Sequence, residues 1–172
     1  MSLAAGTMNR RAVFTAIAAA CGLAMVSTPA AAQAVVQAKS HAINVDGRGV
    51  MLRGYDPVAY FTDGKPTQGV ATFTASHNGA TYHFANAANR DAFAKEPDKY
   101  APVYGGFCAY GVANGFKVDG DPKVWKIVDG RLYVNINRSI GRRFEADPKG
   151  YIVQAEAKWP DMRDKSPDEV NK

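Results

Sequence analysis

The sequence has little cysteine and lacks the common catalytic signatures. Only two cysteines, Cys21 and Cys108, occur among its 172 residues. It has no Gly-rich phosphate loop, no nucleophile elbow, no His-x-x-x-His and no Cys-x-x-Cys. These absences exclude the mechanisms that those motifs serve and favour a protein that is not an enzyme. Any chemistry must use the cysteines, the histidines, a few aromatic residues and scattered carboxylates.

The chain also lacks an apolar run long enough to cross a bilayer. Its longest run, from Ala12 to Val26, has about 15 residues, whereas a membrane-spanning helix needs ~20. An arginine pair precedes this run, and a small-residue tract that follows it fits cleavage after Ala32 or Ala34. Residues 1–34 are therefore predicted to be a secretory signal, by either the general or the twin-arginine route. We expect a periplasmic or secreted protein with no membrane span.

Charge of one sign is not concentrated anywhere in the sequence. The formal net charge is +5, and removal of the predicted signal, which has two arginines and no acid, leaves +3. Basic and acidic residues are interleaved, so nothing predicts a nucleic-acid partner. The remaining residues, about 138, are enough for one compact domain with its own core.

One β-hairpin is clearly marked in the sequence. Asn78-Gly79 lies between two β-prone runs, and a two-residue turn there pairs His77 with Ala80. Because side chains alternate along a strand, His83 then lies on the face opposite the core. The residues predicted to form the core face are Phe73, Ala75, Tyr82 and Phe84.

Further hairpins and short helices complete the prediction. Hairpins are expected at 43–52 and 124–135, and the core face of the second should carry Trp125, Ile127, Leu132 and Val134. Helices are expected after Asp56, over 86–95, over 107–113 and toward the C-terminus. No internal repeat is evident. The sequence predicts one small α+β domain of β-hairpins and short helices.

The chain is predicted to divide into four segments. They are the signal (1–34), an N-terminal extension with a hairpin (35–53), the main domain (54–160) and a flexible charged tail (161–172). Removal of the signal would leave Cys108 as the only cysteine. One unpaired thiol in an exported protein needs an explanation, because such proteins usually pair their cysteines or lack them.

An ordered set of short motifs resembles the YHS domain family. The motifs are Tyr55-Asp-Pro-Val-Ala-Tyr-Phe61, Tyr82-His-Phe84, Tyr104-Gly-Gly-Phe-Cys-Ala-Tyr110, Trp125-Lys-Ile-Val-Asp-Gly-Arg-Leu-Tyr133 and Trp159-Pro160. They span nearly all of the main domain and are most similar to the exported bacterial branch, which has a Gly-Gly-aromatic-Cys motif. Some members of that branch carry selenocysteine at the cysteine position. The resemblance implies a role in handling heavy metals, especially copper.

The sequence departs from the metal-binding branches of that family at two positions. Those branches carry cysteine directly after Asp-Pro-Val and again in the following helix, where this chain has Ala59 and Asn89. Cys108 is therefore the only soft ligand available. We expect it to be the main ligand for a metal ion, with His83 as the second and Met51 or a tyrosine as further candidates.

A thiolate ligand suits Cu(I) or zinc. A structural zinc site normally takes four protein ligands, so one cysteine and one histidine favour a labile or intersubunit copper site, which would involve a homodimer. Two alternatives remain open at the sequence level. Cys108 could be a nucleophile in a thiol or redox protein, or it could simply pack inside an interaction module that binds a protein partner.

Overall fold

The computed structural model describes residues 41–172, and the predicted secretory signal lies outside the described residues. The strands are β1 (Val70–His77), β2 (Ala80–Phe84), β3 (Asp121–Val128) and β4 (Arg131–Asn135). The helices are α1 (Ala59–Thr62), α2 (Ala87–Lys95), α3 (Pro97–Tyr100), α4 (Ala109–Ala113), α5 (Arg138–Ala146), α6 (Pro148–Met162) and α7 (Pro167–Val170). Two 3₁₀ turns, Leu52–Gly54 and Val103–Gly106, precede α1 and α4. The predicted α+β fold is confirmed.

The strands form two antiparallel hairpins with tight turns. In the first, His77 pairs with Ala80 and Ala75 pairs with Tyr82, as the Asn-Gly turn predicts. Beyond Thr74 a bulge shifts the register, so Phe84 pairs with Val70 and not with Phe73. The expected hairpin at 43–52 is reduced to an isolated bridge between Val45 and Met51.

Local capping explains where the helices begin. Asn86 and Asn137 each accept a hydrogen bond from the amide three residues later, which fixes the first turns of α2 and α5. Helix α6 continues through Pro160 to Met162, where a frayed end was expected. The segment predicted to be a charged tail contains α7, and Ser166 and Glu169 form a capping box at its start.

The structure contains an internal repeat that the sequence analysis missed. Residues 52–100 form a first repeat and residues 104–151 a second one, with the same order of turn, short helix, hairpin, helix and proline-started helix. The turns Asn78-Gly79 and Asp129-Gly130 lie 51 positions apart, and the cap residues Asn86 and Asn137 keep that spacing. Each hairpin joins an eight-residue strand to a five-residue strand.

Irregular features recur at the same places in the two repeats. The 3₁₀ turn of each repeat has consecutive residues with positive φ, namely Leu52, Arg53 and Gly54 in the first and Tyr104, Gly105 and Gly106 in the second. The long strand of each hairpin has a bulge, between Val70 and Thr74 or between Asp121 and Trp125. Irregularities of this kind do not arise from secondary-structure propensity, so their recurrence identifies a duplicated unit.

Two hydrophobic clusters occupy the interior, and the second hairpin lies between them. Leu132 and Val134 face the first cluster, as predicted, with Trp125 and Ile127 packed against it. Tyr133 points the other way into the second cluster, which also contains Tyr104 and Phe144. Strand β4 is therefore buried on both faces. Among residues 41–172, no helix combines the length and apolar character that crossing a membrane requires.

Candidate functional site

Cys108 lies at the start of α4, directly after the turn Val103–Gly106. Its sulfur accepts a hydrogen bond from the Gly111 amide at 3.3 Å, so the cysteine is the N-cap of the helix. The thiol also lies 3.6 Å from Oδ1 of Asn135, to which it donates. Asn135 is itself buried and accepts from the Tyr110 amide at 3.0 Å. The side chain is held by hydrogen bonds on both sides.

The Cys108 thiol is buried, with only 1% of the residue exposed. Burial raises the pKa of the thiol, and the backbone amides of Gly111, Ile136 and Tyr110 oppose that rise. Burial has the larger effect, so the neutral thiol is favoured. These surroundings differ from those of a nucleophilic cysteine, which is partly exposed and has a lowered pKa.

Asp56 is the counterpart of Cys108 in the first repeat. Its carboxylate accepts from the amides of Val58 and Ala59 at 2.8 and 3.3 Å, and from the amide of Ala85 at 2.8 Å. The corresponding amides around Cys108 are those of Tyr110, Gly111 and Ile136. The position that holds a carboxylate in one repeat thus holds a thiol in the other, where the Gly111 amide donates to the sulfur and the Tyr110 amide donates to Asn135. Asp56 was predicted to be a helix cap, which its hydrogen bonds confirm.

The glycine pair before Cys108 allows the N-terminal segment, residues 42–51, to pack closely. A Cβ on Gly105 would lie 2.0 Å from the Ala42 carbonyl oxygen, and one on Gly106 would lie 3.0 Å from the Met51 sulfur. Both glycines also have positive φ. The Asn44 amide donates to the Gly105 carbonyl at 2.8 Å. The pair therefore fits close packing, and it places Met51 beside the turn that leads to Cys108.

His83, the second predicted ligand, lies in the first repeat. It is half-buried on β2, and its Nδ1 lies 3.3 Å from the position that a Cβ on Gly54 would occupy. The corresponding residue of the second repeat is Val134, which forms a backbone bridge with Cys108. No hydrogen bond within residues 41–172 joins His83 to Cys108. The residue that pairs with Cys108 along the backbone is thus aliphatic, and the histidine occupies the corresponding position of the other repeat.

His77 is held separately from His83. Its Nε2 is 2.8 Å from a carboxylate oxygen of Asp98, and its ring packs edge-on against Phe93. His83 points toward the opposite side of the hairpin, beside Gly54 and Gly69. The two histidines do not converge on one ion.

The positions where the family resemblance places cysteine ligands meet at Asp56. The Ala59 amide bonds one carboxylate oxygen, and Nδ2 of Asn89 donates to the other at 2.6 Å. The amide of Asn89 and a carboxylate whose two oxygens already accept hydrogen bonds are poor ligands for a soft metal ion. In the part of the chain described, no three His, Cys, Asp or Glu side chains gather as a metal site would require. A four-ligand zinc site is therefore not formed among residues 41–172.

Lys117 is a buried charged residue that the sequence analysis did not single out. Its Nζ donates to the carbonyl oxygens of Met162, Arg163 and Lys165 at 3.0, 2.7 and 2.6 Å. It also lies 4.8 Å from the ring centroid of Phe107. Burial lowers the pKa of the amine. Lysine often caps carbonyls at a helix end, so Lys117 anchors the end of α6.

A cleft of about 570 Å³ lies along the turn before Cys108. Tyr104 and Gly105 are on one side, and Arg131, Trp159 and Arg163 are among the residues that complete it. Cys108 does not line this cleft. An approach to the thiol from this direction would require movement of the turn.

Comparison with known protein families gives one match. Residues 58–104 match the model of the YHS domain family, which confirms the predicted resemblance for that stretch. The match begins just before α1 and ends at Tyr104, so it covers most of the first repeat and stops before Cys108. No curated protein and no solved structure matches the chain.

Proposed function

We propose that this chain, whose residues 58–104 carry a YHS domain, is an exported metal-handling protein in which Cys108 binds a soft cation, with Cu(I) the favoured ion. Metal binding has been inferred for the YHS family, which supports the general role. Cys108 is the only cysteine in the part of the chain described. Thiolate ligands favour Cu(I), which supports the choice of metal.

The observation that carries this proposal is the equivalence of Cys108 and Asp56. In the first repeat, three backbone amides stabilise a carboxylate, which is an anionic group. In the second repeat, the Gly111 amide donates to the sulfur, and the amides of Tyr110 and Ile136 also act to lower the pKa of the thiol. A ligand cysteine must lose its proton, and amides arranged in this way would stabilise the resulting thiolate. A bound cation would also neutralise the thiolate, and this would offset the free-energy cost of burying a charged sulfur.

The second ligand would come from outside the immediate surroundings of Cys108. His83 remains the predicted second ligand, and its half-buried ring lies in the other repeat beside Gly54. Cys108 of one copy and His83 of a second copy would form an intersubunit copper site. Binding would require the Cys108 thiol to give up its hydrogen bond to Asn135. We therefore expect slow uptake and a labile site.

Titration of the mature domain with Cu(I) tests the proposal. The wild-type protein should bind about one ion per chain or per dimer, and Cys108→Ser should abolish binding. Serine is a good N-cap, so this variant keeps the start of α4 while it removes the thiolate. His83→Gln should weaken binding, and His77→Gln serves as a matched control on the same hairpin. Equal Cu(I) affinity in the wild type and Cys108→Ser would refute the Cys108 site.

A nucleophilic role for Cys108 is less well supported. Thiol chemistry needs an accessible sulfur with a substantial thiolate fraction at neutral pH. Cys108 is 1% exposed and burial raises its pKa. Both observations indicate that the Cys108 thiol can react only after a local opening of the structure exposes it.

A further inference from the structure

A groove between β3 and α5 carries several cations. It has a volume of about 240 Å³. The residues that line it are Lys123, Val124, Trp125, Arg138, Gly141, Arg142 and Glu145. Arg138 and Arg142 are four residues apart on α5, and Lys123 faces them from β3. Three basic side chains from two elements therefore border one small concave surface, with a single carboxylate beside them.

The three basic side chains have no ionic partner within residues 41–172. Among the described residues, no salt bridge or hydrogen bond engages the side chain of Lys123, Arg138 or Arg142, and only the backbone amide of Lys123 donates to a side chain, that of Asp121 at 2.8 Å. Like charges four residues apart on a helix are destabilising. Arg138 is also the first residue of α5, where the helix dipole disfavours a cation. The arrangement thus costs stability, and no ion pair among the described residues offsets that cost.

The first repeat provides an internal comparison for this groove. Fifty-one positions earlier, the residues that correspond to Lys123, Arg138 and Arg142 are Thr72, Ala87 and Asp91. The first repeat builds the same hairpin and the same nine-residue helix without these cations. The fold therefore does not require them. Their presence in the second repeat alone indicates a role in binding.

Close packing and an apolar wall define the shape of the groove. A Cβ on Gly141 would lie 2.7 Å from Cγ1 of Val124, so only glycine lets α5 approach β3 this closely. The corresponding residue of the first repeat is Arg90, whose side chain pairs with its neighbour Asp91. Trp125 is half-buried and is fixed edge-on to Tyr60 with ring centroids 5.1 Å apart. The groove combines a packed apolar wall with exposed cations.

We propose that this groove binds phosphate groups. Planar guanidinium groups bind phosphate oxygens in pairs, and a second guanidinium and an ammonium can bind the remaining oxygens. A multiply charged oxyanion would relieve the repulsion among the three cations. The volume fits a phosphate or pyrophosphate group, which either a soluble phosphate compound or a phospholipid headgroup could supply. This site is separate from Cys108 and does not depend on the metal-binding proposal.

Binding of inorganic pyrophosphate to the mature chain tests the soluble source, by calorimetry at low and at high salt. The wild type should bind saturably, and Arg138→Ala and Arg142→Asp should each weaken binding by about tenfold or more. Both replacements introduce the residue that the first repeat has, so the fold should tolerate them. Arg143→Ala is the matched control, because Arg143 is an exposed arginine on the same helix that does not line the groove. Circular dichroism confirms that each variant is folded.

Co-sedimentation with phosphatidylglycerol vesicles, and with phosphatidylcholine vesicles as a control, tests the lipid source. Selective loss of pyrophosphate binding in the groove variants supports a soluble phosphate ligand. Binding to phosphatidylglycerol vesicles alone, lost in the same variants, supports the headgroup. Binding of neither probe, or equal losses in Arg143→Ala and Arg142→Asp, would overturn the proposal.

Discussion

Cys108 and Asp56 hold equivalent positions in the two repeats, and each caps the helix that follows a left-handed turn. Three backbone amides donate to the Asp56 carboxylate, and the Gly111 amide donates to the Cys108 sulfur. Both positions therefore hold a hydrogen-bond acceptor, which is a carboxylate in the first repeat and a sulfur in the second. The cysteine was interpreted from the sequence as an isolated chemical feature. The structure shows that it is one of two versions of a shared structural element.

Replacement of Asp56 should strongly destabilise the protein. Asp56→Ala would leave the amides of Val58 and Ala85 and the side chain of Asn89 without their acceptor in a buried site. Each unsatisfied buried donor costs about 1–3 kcal/mol, so we expect a loss of about 3–5 kcal/mol in the free energy of unfolding. Urea denaturation measures it. Asp63→Ala, at an exposed position after α1, is the control and should cost less than about 1 kcal/mol. If Asp56→Ala and Asp63→Ala lost similar amounts of stability, the hydrogen bonds of Asp56 would not be important for folding.

Substitutions of Cys108 distinguish a capping role from simple packing. A capping sulfur should be replaced by serine at a cost of under about 1 kcal/mol, because serine is a preferred N-cap. Alanine removes the acceptor and should cost about 1–2 kcal/mol. A cysteine that only packs would give the reverse order, since alanine is the better apolar substitute. Urea denaturation of Cys108→Ser and Cys108→Ala gives the order directly.

Stability should also depend on the Cys108 thiol at high pH. Burial raises the pKa of this thiol above its ordinary value of 9.0. A group whose pKa is higher in the folded state binds its proton more tightly there, so its contribution to stability is present at low pH and lost as the pH rises. The wild type should therefore lose stability relative to Cys108→Ser as the pH rises above about 9. Buried tyrosines add a similar loss in both proteins, so the difference between the two curves isolates the thiol. Parallel curves up to pH 10.5 would contradict the raised pKa.

Lys117 should be important for stability although it is charged. Lys117→Met keeps the length of the side chain but leaves the carbonyl oxygens at the end of α6 without a donor. We expect a loss of about 2–4 kcal/mol by urea denaturation. Lys126→Met, at an exposed position on β3, is the control and should change stability by less than about 0.5 kcal/mol. A Lys117→Met variant as stable as the wild type would show that the carbonyl groups find other partners.

Local signals in the sequence predicted much of the fold. The Asn78-Gly79 turn predicted the register near it, Asp56 marked the start of one helix, and the helix expected over 86–95 corresponds to α2. The bulge before Thr74 was not predicted, because the alternation of side chains was taken to run unbroken along the strand. The surroundings of Cys108 were not predictable either. They depend on Asn135, which lies 27 residues away in sequence and is brought in by β4.

The repeat was missed because its conserved positions are sparse. The two repeats share a cap asparagine, the phenylalanine pair Phe93 and Phe144, and the prolines that begin α3 and α6. Glycines at the turns and two tyrosine pairs, Tyr82 with Tyr133 and Tyr100 with Tyr151, are also shared, but most other positions have diverged, as Asp56 and Cys108 illustrate. Lys117 was missed because a single lysine in a polar segment has the pattern of a surface residue.

The most direct test of the account is the alkylation rate of Cys108 in the folded mature chain, with and without one equivalent of Cu(I). The thiol is buried, so alkylation at pH 7 should be slow without copper and should require local opening. Bound copper should slow it further by at least tenfold, and His77→Gln should show the same protection as the wild type. Alkylation at an equal rate with and without Cu(I) would contradict a copper site at Cys108 and leave the cysteine as a helix cap alone.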